Sequence, residues 1–185
     1  FFFKQKTAYE IPKRDWSSDV CSSDLALRAI IDLIQDLKPD RIVENGDGLD
    51  MYTVSDFSKD PRREDSVDSD IQTKKEQLER LRLASPDSIY DYTTGNHEKR
   101  MERYIRGNAP ALAGLRCLEI PNMLDVEGLN INYHQEDGFS LRPWYYVYHG
   151  TIVSKYSGSS AKAELAKWGV SGISGHTHRA DSYHQ

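Results

Sequence analysis

Four short apolar runs in this chain each end on a glycine-bearing polar cluster, and this pattern constrains the fold more than any other feature. The clusters are Gly46-Asp47-Gly48-Leu49-Asp50, Gly95-Asn96-His97-Glu98, His149-Gly150 and Gly175-His176-Thr177-His178. The runs before them, at 41–45, 88–94, 144–148 and 170–173, are β-prone, and helical patterns separate them. Leu27, Ile30, Ile31, Ile34 and Leu37 share one helical face, which Pro39 ends. Further helices are expected over 71–83, 97–105 and 157–168, with two short helical turns around Pro121. A strand is expected over 129–133, and the polar stretch 54–70 reads as a long surface loop. Alternating helices and strands place the chain in the α/β class. Ligands of open α/β sheets collect beyond the carboxyl ends of strands, so the four clusters can converge on one site.

Asp, Asn and His together suit borderline divalent metals: Mn, Fe, Zn or Ni. Taken singly, each cluster has an ordinary structural use. The first can be an Asx-type turn. The second can be a helix start with Asn96 as N-cap and Glu98 favoured by the helix dipole. His149 alone can be a satisfied core histidine. The alternate histidines of the last cluster are more telling, because on an extended backbone they project to one side. As an ordered set, the four point to a metal centre.

Composition sets the outer bounds. A chain of 185 residues suits one domain. Its 24 Lys+Arg against 29 Asp+Glu leave a net charge of −5, which speaks against a general binder of polyanions. No apolar run nears the roughly 20 residues that cross a bilayer, so no membrane partner is expected. Cys21 and Cys117 are too few for a disulfide scaffold. A cytoplasmic location is the expectation that follows. Residues 1–25 stand apart. They lack any strand or helix period, and the blocks 4–10 and 15–25 match the conceptual translation of a common sequencing-library adapter, separated by an index-sized gap. That segment is expected to be an adapter-derived artefact and not a domain. Cys117 then has no intrachain partner, and the domain occupies 26–185.

The ordered clusters resemble the motif series of the calcineurin-like metallophosphoesterases: D-x-H, G-D-x-x-D, G-N-H-E/D, H and G-H-x-H. Motifs two to five stand at Asp47/Asp50, Asn96/His97/Glu98, His149 and His176/His178, and a KDP-containing loop at 59–61 is similar to phage and bacterial members. The resemblance implies an αββα sandwich of two mixed sheets flanked by helices. It implies two divalent metal ions, manganese favoured. Asp47 would bridge them, Asn96, His149 and His176 would complete one site, and His178 would serve the other. It further implies in-line attack on a phosphate ester by a metal-bound hydroxide. His97 would contact the phosphate or protonate the leaving oxygen, oriented by Asp50. Arg100 and Arg179, beside the motifs, read as solvated surface cations, with binding of the substrate phosphate as the alternative, and surface roles are expected for His134 and His184.

The departure from the family is its first motif. No His precedes His97, and Ala26 stands where the motif's His would fall after Asp24. The sandwich is therefore expected to be incomplete, lacking its opening strand and its C-terminal strands, and the chain as written to fold poorly and show little or no two-metal hydrolysis. The substrate implied is a phosphomonoester or phosphodiester, with nucleotides and nucleic-acid ends included. A metallo-β-lactamase arrangement is set aside because Asp181 stands one place too late for its H-x-H-x-D-H run. A non-catalytic metal-binding or protein-interaction module on the same fold is the alternative. Retention of Asp50, Asn96, His97, His176 and His178 speaks against it.

Overall fold

The computed structural model describes residues 24–135, 138–156 and 158–184. The adapter-like stretch lies outside the described residues except for its last two positions, which open the first helix. That helix, α1 (Asp24–Leu37), leads into β1 (Arg41–Glu44). After a 3-10 turn at Tyr52–Val54 come α2 (Val67–Ala84), β2 (Ile89–Thr93) and α3 (Glu98–Asn108). Two further 3-10 turns precede the short α4 (Ile120–Met123), and β3 (Ile131–His134) follows. The remainder comprises β4 (Phe139–Arg142), β5 (Tyr145–Tyr148), α5 (Ser159–Trp168) and β6 (Ser171–Ser174).

The strands form two small sheets, so the fold is mixed α/β. In the first sheet the order is β1-β2-β3, with both pairings parallel. The second has the order β4-β5-β6, antiparallel then parallel, with a bulge between Ser140 and Arg142. Of the two mixed sheets expected, only the second is mixed among the described residues. Helical segments lie between consecutive strands of the first sheet, and such crossovers return each strand in the same direction. The strand β4 was not expected. Its four residues follow Gly138 and are interrupted by the bulge, which leaves too little alternation to read.

The core lies between the first sheet and α1 and α2. Tyr90 and Tyr92 of β2, Leu78 and Leu81 of α2, and Leu27 and Ile34 of α1 are all buried in it. Met51, Leu124 and Ile131 close the cluster. Polar groups fix the layers as well. Lys74 of α2 is buried and pairs with Glu44 of β1, whose other carboxylate oxygen accepts from the Tyr90 hydroxyl at 3.0 Å. Arg82 near the end of α2 donates to the carbonyls of Ser88 at 2.8 Å, Leu129 at 2.9 Å and Asn130 at 2.7 Å. These bonds tie the entries of β2 and β3 to one helix. On the second sheet, Trp168 of α5 packs against Tyr146 and Tyr148, with ring centroids 4.9 and 5.2 Å away.

The sheets meet where the strands that precede the polar clusters end. Gly175 N–H donates to the His149 carbonyl at 2.9 Å, and the His149 ring nitrogen Nδ1 lies 2.7 Å from the Asn45 carbonyl beyond β1. None of the described helices is long and apolar enough to cross a membrane. Cys117 is free and exposed.

Candidate metal centre

Each candidate ligand sits just past a strand end. Asp47 follows β1 and Asn96 follows β2, both from the first sheet, while His149 follows β5 and His176 follows β6. The strands therefore deliver two donors from each sheet to one seam. Asp47 Oδ2 is 3.0 Å from His149 Nε2. Asn96 Oδ1 is 3.1 Å from that same nitrogen and 2.7 Å from His176 Nδ1. Donor atoms of Asp47, His149 and His176 all lie within 4.8 Å of one another. Asn96 is thus not a helix cap; the N-cap of α3 is His97, with no side-chain capping bond.

The carbonyl of Asn45 decides the tautomer of His149. A carbonyl only accepts, so Nδ1 carries the proton and Nε2 faces Asp47 and Asn96. Burial opposes protonation of His149, but the Asp47 carboxylate outweighs it and lifts the pKa. Burial likewise opposes ionisation of Asp47, and His149 and His97 overcome this and hold its carboxyl below the usual range. His176 is lowered, by burial first and then by the neighbouring His149.

Glu98 holds the Asp47 loop in place. It is 2% exposed and accepts backbone N–H groups from Asp47 at 3.0 Å, Gly48 at 2.8 Å, Leu49 at 3.3 Å and Gly95 at 2.8 Å. The Tyr92 hydroxyl donates to it at 2.7 Å. Burial pushes its carboxyl up, while the tyrosine and the amides oppose that and favour the ionised form. The two loops approach so closely that there is no room for a side chain at Gly46 or Gly95. A Cβ on Gly46, whose φ is +73°, would sit 2.8 Å from the Gly95 Cα. One on Gly95 would collide with the Asp47 backbone and carboxylate. The sequence placed Glu98 in the third motif and at a helix start, but nothing in its spacing reports a contact across 51 residues.

His97 lies beside the cluster, with Nε2 3.7 Å from Asp47 Oδ2 and Nδ1 3.2 Å from the Leu49 carbonyl. Burial holds its pKa below the usual range. The expected Asp50–His97 hydrogen bond is not formed: Nδ1 is 3.9 Å from Asp50 Oδ1, and the Leu49 carbonyl is nearer. Instead Asp50 is held by two arginines. Arg63 Nη2 reaches it at 2.9 Å, and Arg100 Nη1 reaches its carboxylate at 3.3 Å and its backbone carbonyl at 2.6 Å. Arg100 is 8% exposed, which corrects its reading as a solvated cation. Arg179 is exposed, and its guanidinium donates to the carbonyls of Ser154 at 2.9 Å and Lys155 at 3.2 Å. His178 is exposed and stands outside the cluster of Asp47, His149 and His176. His134, expected at the surface, pairs with the buried Asp91 at 2.8 Å and stacks on Phe139.

No family profile matches the chain, and no solved structure matches it. Two phage proteins do. They are the Gene 54 proteins of Mycobacterium phage L5 and of Mycobacterium phage D29, each 30% identical over 162 residues. Each alignment takes in 83% of this chain and 62% of the relative, so the chain spans less than two thirds of the relatives it matches.

Proposed function

We propose that this chain is a metal-dependent phosphoesterase domain of the calcineurin-like type, with its two sheets and flanking helices arranged as an αββα sandwich. The substrate is a phosphomonoester or phosphodiester, and two divalent ions, manganese favoured, form the centre. One observation carries this reading. With Nδ1–H committed to Asn45, the lone pair of neutral His149 meets acceptor oxygens of both Asp47 and Asn96. Three converging acceptors need a positive charge between them. A proton on Nε2 supplies it without metal, as the raised His149 pKa reflects, and a divalent ion fits the same nitrogen and oxygen donors.

Asp47, Asn96, His149 and His176 would hold one ion; Asp47 and His178 would contribute to the other. When bound, the ions supply Lewis acidity toward the phosphoryl oxygens and activation of water. The chain's own groups do the rest. His97, fixed through Nδ1 on Leu49, presents Nε2 as the atom that takes up or releases a proton beside Asp47. Its lowered pKa makes the protonated ring a strong donor toward a leaving oxygen. Asp50 holds two guanidinium groups nearby, a positive field that suits an arriving phosphate.

Calorimetric titration with Mn²⁺ and hydrolysis of bis(p-nitrophenyl) phosphate test the proposal. His149→Ala should lose Mn²⁺ binding. His97→Ala should keep Mn²⁺ and lower, by about 10²-fold or more, whatever hydrolysis the unmutated chain shows. An unmutated chain that binds no Mn²⁺ would sink the reading.

A further inference from the structure

α5 contains a carboxylate that the proposed chemistry leaves unused. Glu164 is 1% exposed. Its Oε1 accepts from the backbone N–H groups of Thr151 at 2.8 Å and Ile152 at 2.9 Å. Its Oε2 accepts from the indole Nε1–H of Trp168 at 3.1 Å. Both amides belong to the turn that leaves β5 immediately after His149. Where a strand ends, backbone donors lose their ladder partners and need another acceptor if buried. Glu164 is that acceptor here. It is itself anchored to the same strand, because Trp168 packs on Tyr146 and Tyr148 of β5.

The arrangement parallels the other half of the centre. There Glu98, equally buried, receives the backbone amides of the loop that presents Asp47. Each sheet thus meets the centre through a turn pinned by one buried glutamate, which touches no candidate ligand side chain among its hydrogen-bond partners. The position of Glu164 belongs to none of the motifs that suggested the centre.

We infer that Glu164 is a positioning residue for His149, fixing the 150–152 turn and through it the direction in which the imidazole points. The inference rests on the reading of His149 as a metal ligand. Such supporting contacts typically govern metal affinity by about 10–100-fold, because a ligand whose backbone wanders must be ordered again on each binding event. In Glu164→Gln the shape is kept, but the charge is lost and an amide N–H2 or carbonyl must face donors that a carboxylate satisfies on both oxygens.

The test combines two measurements on the full chain with Glu164→Gln and a control. Leu165→Ala trims a half-buried side chain of α5 next to Glu164 yet leaves the carboxylate in place. In EDTA, the Thr151 and Ile152 amides of Glu164→Gln should exchange at least about tenfold faster than in the unmutated chain, and those of Leu165→Ala should not. In Mn²⁺ titrations, Glu164→Gln should bind about 10–100-fold more weakly, with Leu165→Ala within about twofold of the unmutated chain. Faster amide exchange combined with unchanged Mn²⁺ affinity in Glu164→Gln would overturn this inference alone. So would equal loss of affinity in Leu165→Ala, since general loosening of the helix would then account for it. Absence of Mn²⁺ binding by the unmutated chain would instead overturn the metal reading beneath it.

Discussion

Asp47, His176 and His178 all adopt left-handed backbone, with φ of 54°, 65° and 52°. Such conformations cost roughly 1 kcal/mol or more for residues with a Cβ, and Asp and His are among those that tolerate them best. At Asp47 the four amides on Glu98 hold the turn against that cost. The motif spacing named these residues, but no spacing reports a backbone sign. It also did not report that Arg63 and Arg100 would converge on Asp50, since both lie far from it in sequence. Asp70 illustrates the same electrostatic crowding. It accepts the Met51 N–H at 3.1 Å, and burial together with the nearby Asp50 raises its pKa to about 6. A carboxyl whose folded pKa exceeds its unfolded value of 3.8 is neutral and harmless at low pH, and destabilises the fold as pH rises through that window. Asp70→Asn keeps the bond from Met51 and removes the charge. It should raise stability at pH 7 by about 1–2 kcal/mol, the full shift being discounted for partial exposure. Urea unfolding of both proteins between pH 4 and 7 checks this; parallel pH profiles would refute it.

Among the elements, α2 shows what composition reveals and what it hides. Its run of helix-forming Lys, Glu, Leu and Arg was legible, and the helix was expected over 71–83, but it starts at Val67. The first turn carries Asp68 and Asp70 and no apolar period. It is set instead by Ser66 and Ser69, which exchange side-chain and backbone hydrogen bonds as a capping box. The inward-facing Lys74 was equally hidden, since a lysine in a charged helix reads as solvent-facing until Glu44 is seen opposite. Leu78, fully buried in the core cluster, is the element's main apolar anchor. Leu78→Ala should cost about 2–5 kcal/mol in denaturant unfolding. A loss below about 1 kcal/mol would mean that the core as described does not carry the helix.

For the whole molecule, the decisive fact is that the candidate ligands are shared between two sheets. The sequence placed four polar clusters at strand ends and so foretold their meeting, but not which strands pair, because pairing depends on contacts between distant segments. An ion bound at the seam would join the first sheet, through Asp47 and Asn96, to the second, through His149 and His176. Ligand binding stabilises a fold by mass action, about 2.7 kcal/mol at a hundredfold excess over the dissociation constant. Mn²⁺ should therefore raise the melting temperature and slow amide exchange in β1 and β5 together. Protection confined to one sheet would show that the ion does not bridge them.

The contact between Gly46 and Gly95 gives the centre an inverted pattern of mutational tolerance. Exchanging one candidate donor for another would change which ion is preferred and would leave the two glycines in contact. Adding a single methyl group at either glycine would force apart the two loops that carry Asp47 and Asn96. The least permissive positions in this site are those with no side chain at all, and any metal preference would be retuned only within the spacing that those two residues set.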